Sequence, residues 1–334
     1  MSIIRVNQQN QVQIWNELTM GARPATPVGH LLSIIGHDLG LVQETGRSKV
    51  IRGDPNPGMV PEGRFSLSGR KISVPIEEQM VGLFLYKLLN GYGKSGTPDI
   101  THVFKMIAGA GENDGPYLGF EVWDAEAEKG DVLDGCVIVG VEGEINTDST
   151  EAALTFEVAG CGKGDFDATT QEDATPAEYT GELYSMVNAS IKVNGSALNF
   201  LTMGRFAFSR KVSVRPVPDG TAYGKYVILG GVNVCTVTLG GLWDDASEIR
   251  ALATGAAEHY VEFVFSPSTG THGLTIKYPE VKFRITAASA VGEGNERECT
   301  VEGTGYKQDS GDATSFMATL INHLADYHLA YIPA

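Results

Sequence analysis

The chain has 334 residues, 42% of them apolar, and a formal net charge of −16 from 41 acidic and 25 basic side chains. That length accommodates two domains with buried cores, and the apolar content excludes an intrinsically disordered chain. The acidic balance disfavours a protein that holds nucleic acid by its phosphates, because Lys and Arg supply that affinity through counterion release.

In chain order, residues 1–30 are polar, carry Trp15 and the run Pro24 to Pro27, and read as an N-terminal arm packed on its own domain or on a neighbour. The opening MSIIRVNQQNQVQIWNEL is too polar for a signal peptide, and no apolar run approaches the roughly 20 residues that cross a bilayer. A cytosolic chain without a membrane partner is expected. GRSKVIRGDPNPGMVPEGR (Gly46 to Arg64) is a basic, Pro-rich stretch that holds Arg47, Lys49, Arg52 and Arg64.

GRKISVPI (Gly69 to Ile76) alternates as a half-buried strand. EEQMVGLFLYKLLNG then places Met80, Leu83, Phe84, Lys87 and Leu88 at helical spacing, with Glu77 and Glu78 suited to the helix N-terminus and Gly91 to its C-terminal cap. HVFKMI (His102 to Ile107) and YLGFEVWD (Tyr117 to Asp124) read as short strands. CVIVGVEGEINTDSTEAALTFEVAGC reads as a long hairpin turning at Asn146 to Thr150.

A linker is expected at 164–182, where GKGDFDATTQEDATPAEYTGE turns acidic and Thr/Ala-rich. Asp165, Asp167 and Glu172 there fail the EF-hand spacing, so a solvated linker is the better reading than a calcium site. Past it, the series recurs. YVILGGVNVCTVTLGG leads into WDDASEIRALATGAA, a helix with Ile249 and Leu252 on its apolar face. HYVEFVFS answers HVFKMI, and GLTIKYPE answers YLGFEVWD. A hairpin from Val281 to Lys307, turning at Gly292 to Gly294, answers the long one. The same kinds of element in the same order indicate a duplicated module, 31–163 and 183–310. A second basic, Pro-containing stretch, Gly204 to Lys225, holds Arg205, Arg210, Lys211, Arg215 and Lys225 at the place equivalent to the first. At 311–334 the stripe Phe316, Leu320 and Leu324, closed by Pro333, predicts an amphipathic helix. On that helix His323 and His328, five apart, do not share a face as a metal-binding pair would.

Chemistry is sparse. GxSxG, P-loop and Rossmann signatures are absent, and GAGEND (Gly109 to Asp114) reads as a turn. The pairs Glu77-Glu78 and Asp244-Asp245 both precede helices, where the helix dipole explains them without acid–base catalysis. Cys136, Cys161, Cys235 and Cys299 lack zinc spacing. Cys136 and Cys161 face each other across the predicted hairpin, where a disulfide is conceivable but buried thiols are the better reading. No catalytic residue, metal or cofactor is expected.

The order of strand, short helix, two strands and long hairpin, with GRFSLSGRKISVPI leading into a helix that ends in LLNG, resembles the phage tail tube proteins of long-tailed viruses. The resemblance covers about residues 28–307. It implies a mainly β fold of two tandem β-sandwich or half-barrel domains, each with a flanking helix. It implies a virion protein whose stacked rings form the conduit for DNA, with three two-domain chains per pseudo-sixfold ring and six chains as the alternative. Its implied partners are the chain itself, a tape-measure protein and a tail terminator. DNA would pass along a wall that repels or ignores phosphate, although an acidic balance also serves solubility alone. The inter-ring contacts expected from the two basic arms are Arg47, Lys49, Arg52, Arg210, Lys211 and Arg215, with two solvated Pro/Gly loops as the alternative reading of these stretches. The other reading is a two-domain β-sandwich that recognises carbohydrate on a virion, which would display Trp and Tyr on a concave face. The chain has only three tryptophans, Trp15, Trp123 and Trp243, without clustering.

Overall fold

The computed structural model describes residues 10–45, 62–107, 117–179, 181–198, 201–215, 223–224, 226–242, 246–254, 257–267, 270–288, 298–308 and 311–327. The fold is mainly β with two short α-helices among these residues. In the first half the elements are β1 (Asn10–Asn16), β2 (His30–Leu32), β3 (Gly36–His37), β4 (Val42–Thr45), β5 (Glu62–Pro75), α1 (Met80–Leu88), β6 (Gly91–Ser95), β7 (Ile100–Lys105), β8 (Leu118–Asp124), β9 (Lys129–Asn146) and β10 (Ala153–Ala168). After β11 (Ala177–Glu178) come β12 (Ser190–Val193), β13 (Ser196–Ala197), β14 (Leu201–Ser209), β15 (Val212–Arg215), β16 (Tyr226–Leu229) and β17 (Val234–Leu242). The chain then runs through α2 (Ala246–Thr254), β18 (His259–Phe265), β19 (Gly273–Ala288), β20 (Glu298–Gly305) and β21 (Met317–Asn322).

One pairing plan occurs twice. In the first half the antiparallel path runs β1, β8, β9, β10, β5. In the second it runs β12, β18, β19, β20, β17. A helix follows β5 and again follows β17. The turn of the first long hairpin is held by Asn146, whose Oδ1 accepts from the backbone N–H of Asp148 at 3.1 Å and of Ser149 at 2.7 Å. This local side-chain capture is what makes Asn a turn residue.

The correspondence between the halves differs from the one expected. GLTIKYPE and VKFRITAA are one strand, β19, because Pro279 falls at a bulge where the register with β18 shifts and no ladder donor is needed. The strand matching β18 is therefore β8, not the HVFKMI segment. HVFKMI belongs to β7, which with β6 forms a hairpin added to the first half only.

The carboxyl-terminal stretch is a strand rather than the expected helix. β21 lies between β7 and β19 and so ties the outer layers of the two halves together. Phe316, Ala318, Leu320 and Asn322 are buried in alternation. A spacing of four satisfies both the helical and the strand period, so Phe316 and Leu320 fit either, and the two open edges decided the outcome.

Helix α1 is buried on every side, including Lys87, whose Nζ donates to Asn16 Oδ1 at 2.6 Å. Gly82 on this helix faces Tyr327, whose ring occupies the place a Cβ would take. The helix begins after Glu77 and Glu78, and no acid lies in its first turn. Glu77 instead accepts from Gly181 N at 3.0 Å and bridges to Leu183. Gly91 opens β6, and the helix ends at Leu89 in extended conformation. The Asp244-Asp245 pair, Trp243, GAGEND and the turn at Gly292 to Gly294 lie outside the described residues. One continuous apolar core runs through both halves.

The stretch expected to be a solvated linker is tied down along its length. Its start extends β10, and its end pairs through β11 with β2. In between, Arg23 binds Asp165 at 2.8 Å and Glu172 at 2.6 Å while also holding Asp134 at 2.9 Å. Asp167 pairs with Lys129. All four cysteines are buried thiols. Residues 10–16 of the expected arm form β1, inside the sheet of the first half.

Candidate assembly surface

The two halves are joined into one sheet by β9 and β14. Their antiparallel register runs from Met203 opposite Asn146 to Ser209 opposite Gly140. Strand β9 is long enough to serve two neighbours along one edge: residues 129–136 pair with β8 and residues 140–146 with β14. Gly135, at φ +67°, sits in a bulge just before the change of partner, where the registers of β9 with β8 and with β10 both shift. The resulting path β5, β10, β9, β14, β17, β20, β19 crosses the seam without a break.

The two faces of this sheet differ sharply in chemistry. One carries Ile72, Val74, Leu154, Phe156, Val141, Phe206, Phe208, Val237, Leu239, Val301 and Phe283, all buried in the core. Gly143, opposite Phe206, lacks a side chain because a Cβ there would lie 2.5 Å from the Phe206 ring. The other face carries short polar residues, among them Ser73, Thr155, Ser209, Thr236, Thr238 and Thr304, interspersed with charges. Across the seam this face is concave, forming a groove of about 550 Å³ lined by Glu142, Glu144, Arg205, Thr236 and Thr238.

Charges of both signs alternate on that face: among the described residues Glu142, Glu144, Glu151, Glu157 and Glu302 stand with Lys71, Arg205, Lys282 and Arg284. Lys71 Nζ lies 2.5 Å from Glu142 Oε1, and Arg284 Nη2 lies 2.9 Å from Glu302 Oε2. Arg205 pairs with Glu144 directly across the seam. The hydrogen bond that Lys71 donates to Glu142 raises the pKa of Lys71, helped by the charges of Glu142 and Glu157. Cations held by carboxylates in this way offer little to a passing phosphate backbone, because each is already neutralised in the plane of the sheet.

At the ends of the path, strand edges are open among the described residues. Residues 282–288 of β19 pair only with β20, and β3 and β4 pair only with β5. Ile285 and Ile35, beside these two edges, are exposed large apolar side chains.

Of the expected contact residues, Arg47, Lys49 and Arg52 lie outside the described residues. Lys211 and Arg215 are exposed at the two ends of β15, Lys211 just before the strand and Arg215 as its last residue, opposite Tyr226. Arg210 faces inward: its Nη1 donates to Leu88 O at 2.9 Å and its backbone N–H to Val139 O at 2.7 Å, and burial lowers its pKa. Arg205 belongs to β14 and the polar face, not to an arm. Val212, Val227 and Leu229 pack the hairpin on Val137, Val139 and Ala159 of the first half. Its other side exposes Tyr226 and Ile228, with Val232 and Val234 exposed just beyond it. Trp15 and Trp123 are buried, so neither offers a stacking platform for a sugar.

Sequence reasoning missed the polar face. Alternation was visible in every strand, but which residues share a face with which depends on register, and register follows from pairing that the sequence does not print.

A continuous sheet with one polar face of paired charges, one core face and edges open among the described residues has the make-up of a structural subunit. Residues 7–305 match the model of a family described as phage tail tube protein, and the chain belongs to that family. It is a structural component of the virion tail and not an enzyme. No curated protein matches the chain significantly.

Proposed function

We propose that this chain is the ring-forming subunit of the tail tube and that the polar face of paired charges lines its lumen, through which DNA passes into the host without specific binding. The β9–β14 seam carries the reading. Strand β19 holds in the second half the place that β9 holds in the first, and β3 with β4 precedes β5 as β14 precedes β17. The open edge of β19 in one chain is therefore equivalent to the edge of β9 that accepts β14. The open edge of β3 and β4 in the next chain is equivalent to β14. Repeating the internal seam between chains closes the sheet into a barrel and removes edges that would be an aggregation hazard in a monomer.

Two halves per chain make three chains the expected ring, with six chains as the alternative. The β15–β16 hairpin, through Lys211 and Arg215, and residues 46–61 with Arg47, Lys49 and Arg52, contact the neighbouring ring and orient the stack. A tape-measure protein fills the lumen during assembly in the host cytoplasm, and a terminator protein ends the tube. The division into 31–163 and 183–310, with β21 tying the two halves together, belongs to the same proposal.

Paired cysteines test the edge joint. Thr286→Cys on one edge, combined in turn with Gly36→Cys, Gly40→Cys or Gln43→Cys on the other, should give chain-to-chain disulfides in at least one combination under mild oxidation. Failure of every combination in assembled particles would place the joint elsewhere.

A further inference from the structure

Away from the sheet path, four side chains from both halves meet at one point of the outer layer. Glu78 precedes α1, Asp99 lies in the turn between β6 and β7, His272 immediately precedes β19 and His323 immediately follows β21. Ligand atoms of Glu78, His272 and His323 all lie within 4.8 Å of one another. Nδ1 of His272 is 2.7 Å from Glu78 Oε1. That carboxylate oxygen is buried and receives no aligned hydrogen bond. On the other side of the ring, Nε2 of His272 lies 3.3 Å from Asp99 Oδ1, and Thr271 Oγ1 fixes Asp99 by donating to its Oδ2 at 2.7 Å. His323 stands edge-on to His272 with ring centroids 4.2 Å apart and brings its Nδ1 to 3.3 Å from Asp99.

We propose that Glu78, His272 and His323 bind a divalent ion of the zinc class, with Asp99 orienting His272. Two imidazoles and a carboxylate form a borderline donor set that suits Zn²⁺, Co²⁺ or Ni²⁺ and does not suit the hard ions Mg²⁺ and Ca²⁺, which take oxygen ligands. Ligand atoms around a tetrahedral zinc at about 2.0–2.1 Å stand roughly 3.3 Å apart, so the contact between Glu78 and His272 needs to open only slightly to admit the ion. An Nε2–H donated to Asp99 leaves Nδ1 of His272 as the metal-binding nitrogen, the usual arrangement of a carboxylate behind a zinc-bound histidine. A water would fill the fourth position. The ion would clasp the first half, through Glu78, to the second, through His272 and His323, and stabilise the folded chain in proportion to its occupancy.

The spacing of His323 and His328 counted against a metal only if they lay on a helix. The strand ending at Asn322 removes that objection, and the partner of His323 is His272, far away in sequence.

The test is calorimetric titration of the full chain, prepared without a histidine tag and stripped with chelator, using zinc chloride alone. One saturable site per chain with micromolar or tighter affinity is expected, together with a melting temperature that rises with zinc and not with magnesium. His323→Ala, at an exposed position where folding is not at risk, and His272→Ala should each weaken binding at least 100-fold, and Asp99→Asn should weaken it about 10-fold. His37→Ala, outside the cluster, should leave binding unchanged. Absence of a saturable site at 100-fold excess zinc over protein, a preference for magnesium or calcium, or undiminished binding in both cluster histidine variants would overturn the assignment.

Discussion

Arg205 of β14 and Glu144 of β9 stand directly opposite each other on the seam between the two halves, and their side chains form an ion pair on the polar face. The pair is substantially exposed, so its contribution is at most about 1 kcal/mol, but its position reports on the joint itself. Arg205→Glu sets like charges opposite one another and should lower stability to urea by about 1 kcal/mol. The exchange Arg205→Glu with Glu144→Arg should recover most of that loss. Independent, additive effects of the two substitutions would show that the seam pair does not form.

The polar face makes a separate prediction about nucleic acid. In the wild-type chain Lys71 and Arg205 are neutralised by Glu142 and Glu144, so a labelled duplex should show no salt-sensitive binding near 0.15 M salt. Glu142→Lys with Glu144→Lys releases both native cations and adds two more. Fluorescence anisotropy should then show binding that weakens steeply as salt rises. Equal behaviour of the two proteins would mean that the face does not meet DNA.

Glu17 gives the chain a pH signature. It is fully buried, and burial followed by the charge of Asp134 pushes its pKa up to about 8, against the opposing hydrogen bonds from Gly21 and Gly135. The folded state therefore keeps a proton that the unfolded state gives up above its ordinary value of 4.5. Stability should fall as pH rises through the window from 4.5 to about 8, by up to about 1.4 kcal/mol per pH unit from this group. Glu17→Gln, isosteric with the protonated acid, should flatten that slope and be the more stable protein at pH 8. Urea midpoints measured across the window check this, and parallel slopes for the two proteins would contradict it.

Stacking of rings is expected to depend on the arms and not on the fold. Arg52→Glu with Arg215→Glu should leave the circular dichroism and melting temperature of the subunit unchanged yet prevent extension of rings into tubes. Normal tubes from the double variant would remove the arms from the stacking contact.

The repeated pairing plan was legible in the sequence because strands, helix and long hairpin recur in order with matching apolar alternation. The exact correspondence was not. Pro279 looks like a strand break and is a bulge inside β19, and the added hairpin β6–β7 imitates the strand that β18 truly matches. At the carboxyl terminus, Phe316 and Leu320 obey two periods at once, and only the presence of β7 and β19 on either side selects a strand. Arg210 shows the limit of reading charge as exposure: it sits in a basic run and spends its guanidinium on the last turn of α1. The polar face and the Glu78, Asp99, His272 and His323 cluster both assemble residues far apart in sequence, and nothing local marks them.

The most direct test of the tube reading is electron microscopy of the purified chain over a range of concentrations, with particle mass measured in parallel. Closed rings or tubes with a central hole, at three chains per ring, are predicted. Compact monomers that persist at high concentration would contradict the proposal that the open edges of β19 and of β3 with β4 join chain to chain.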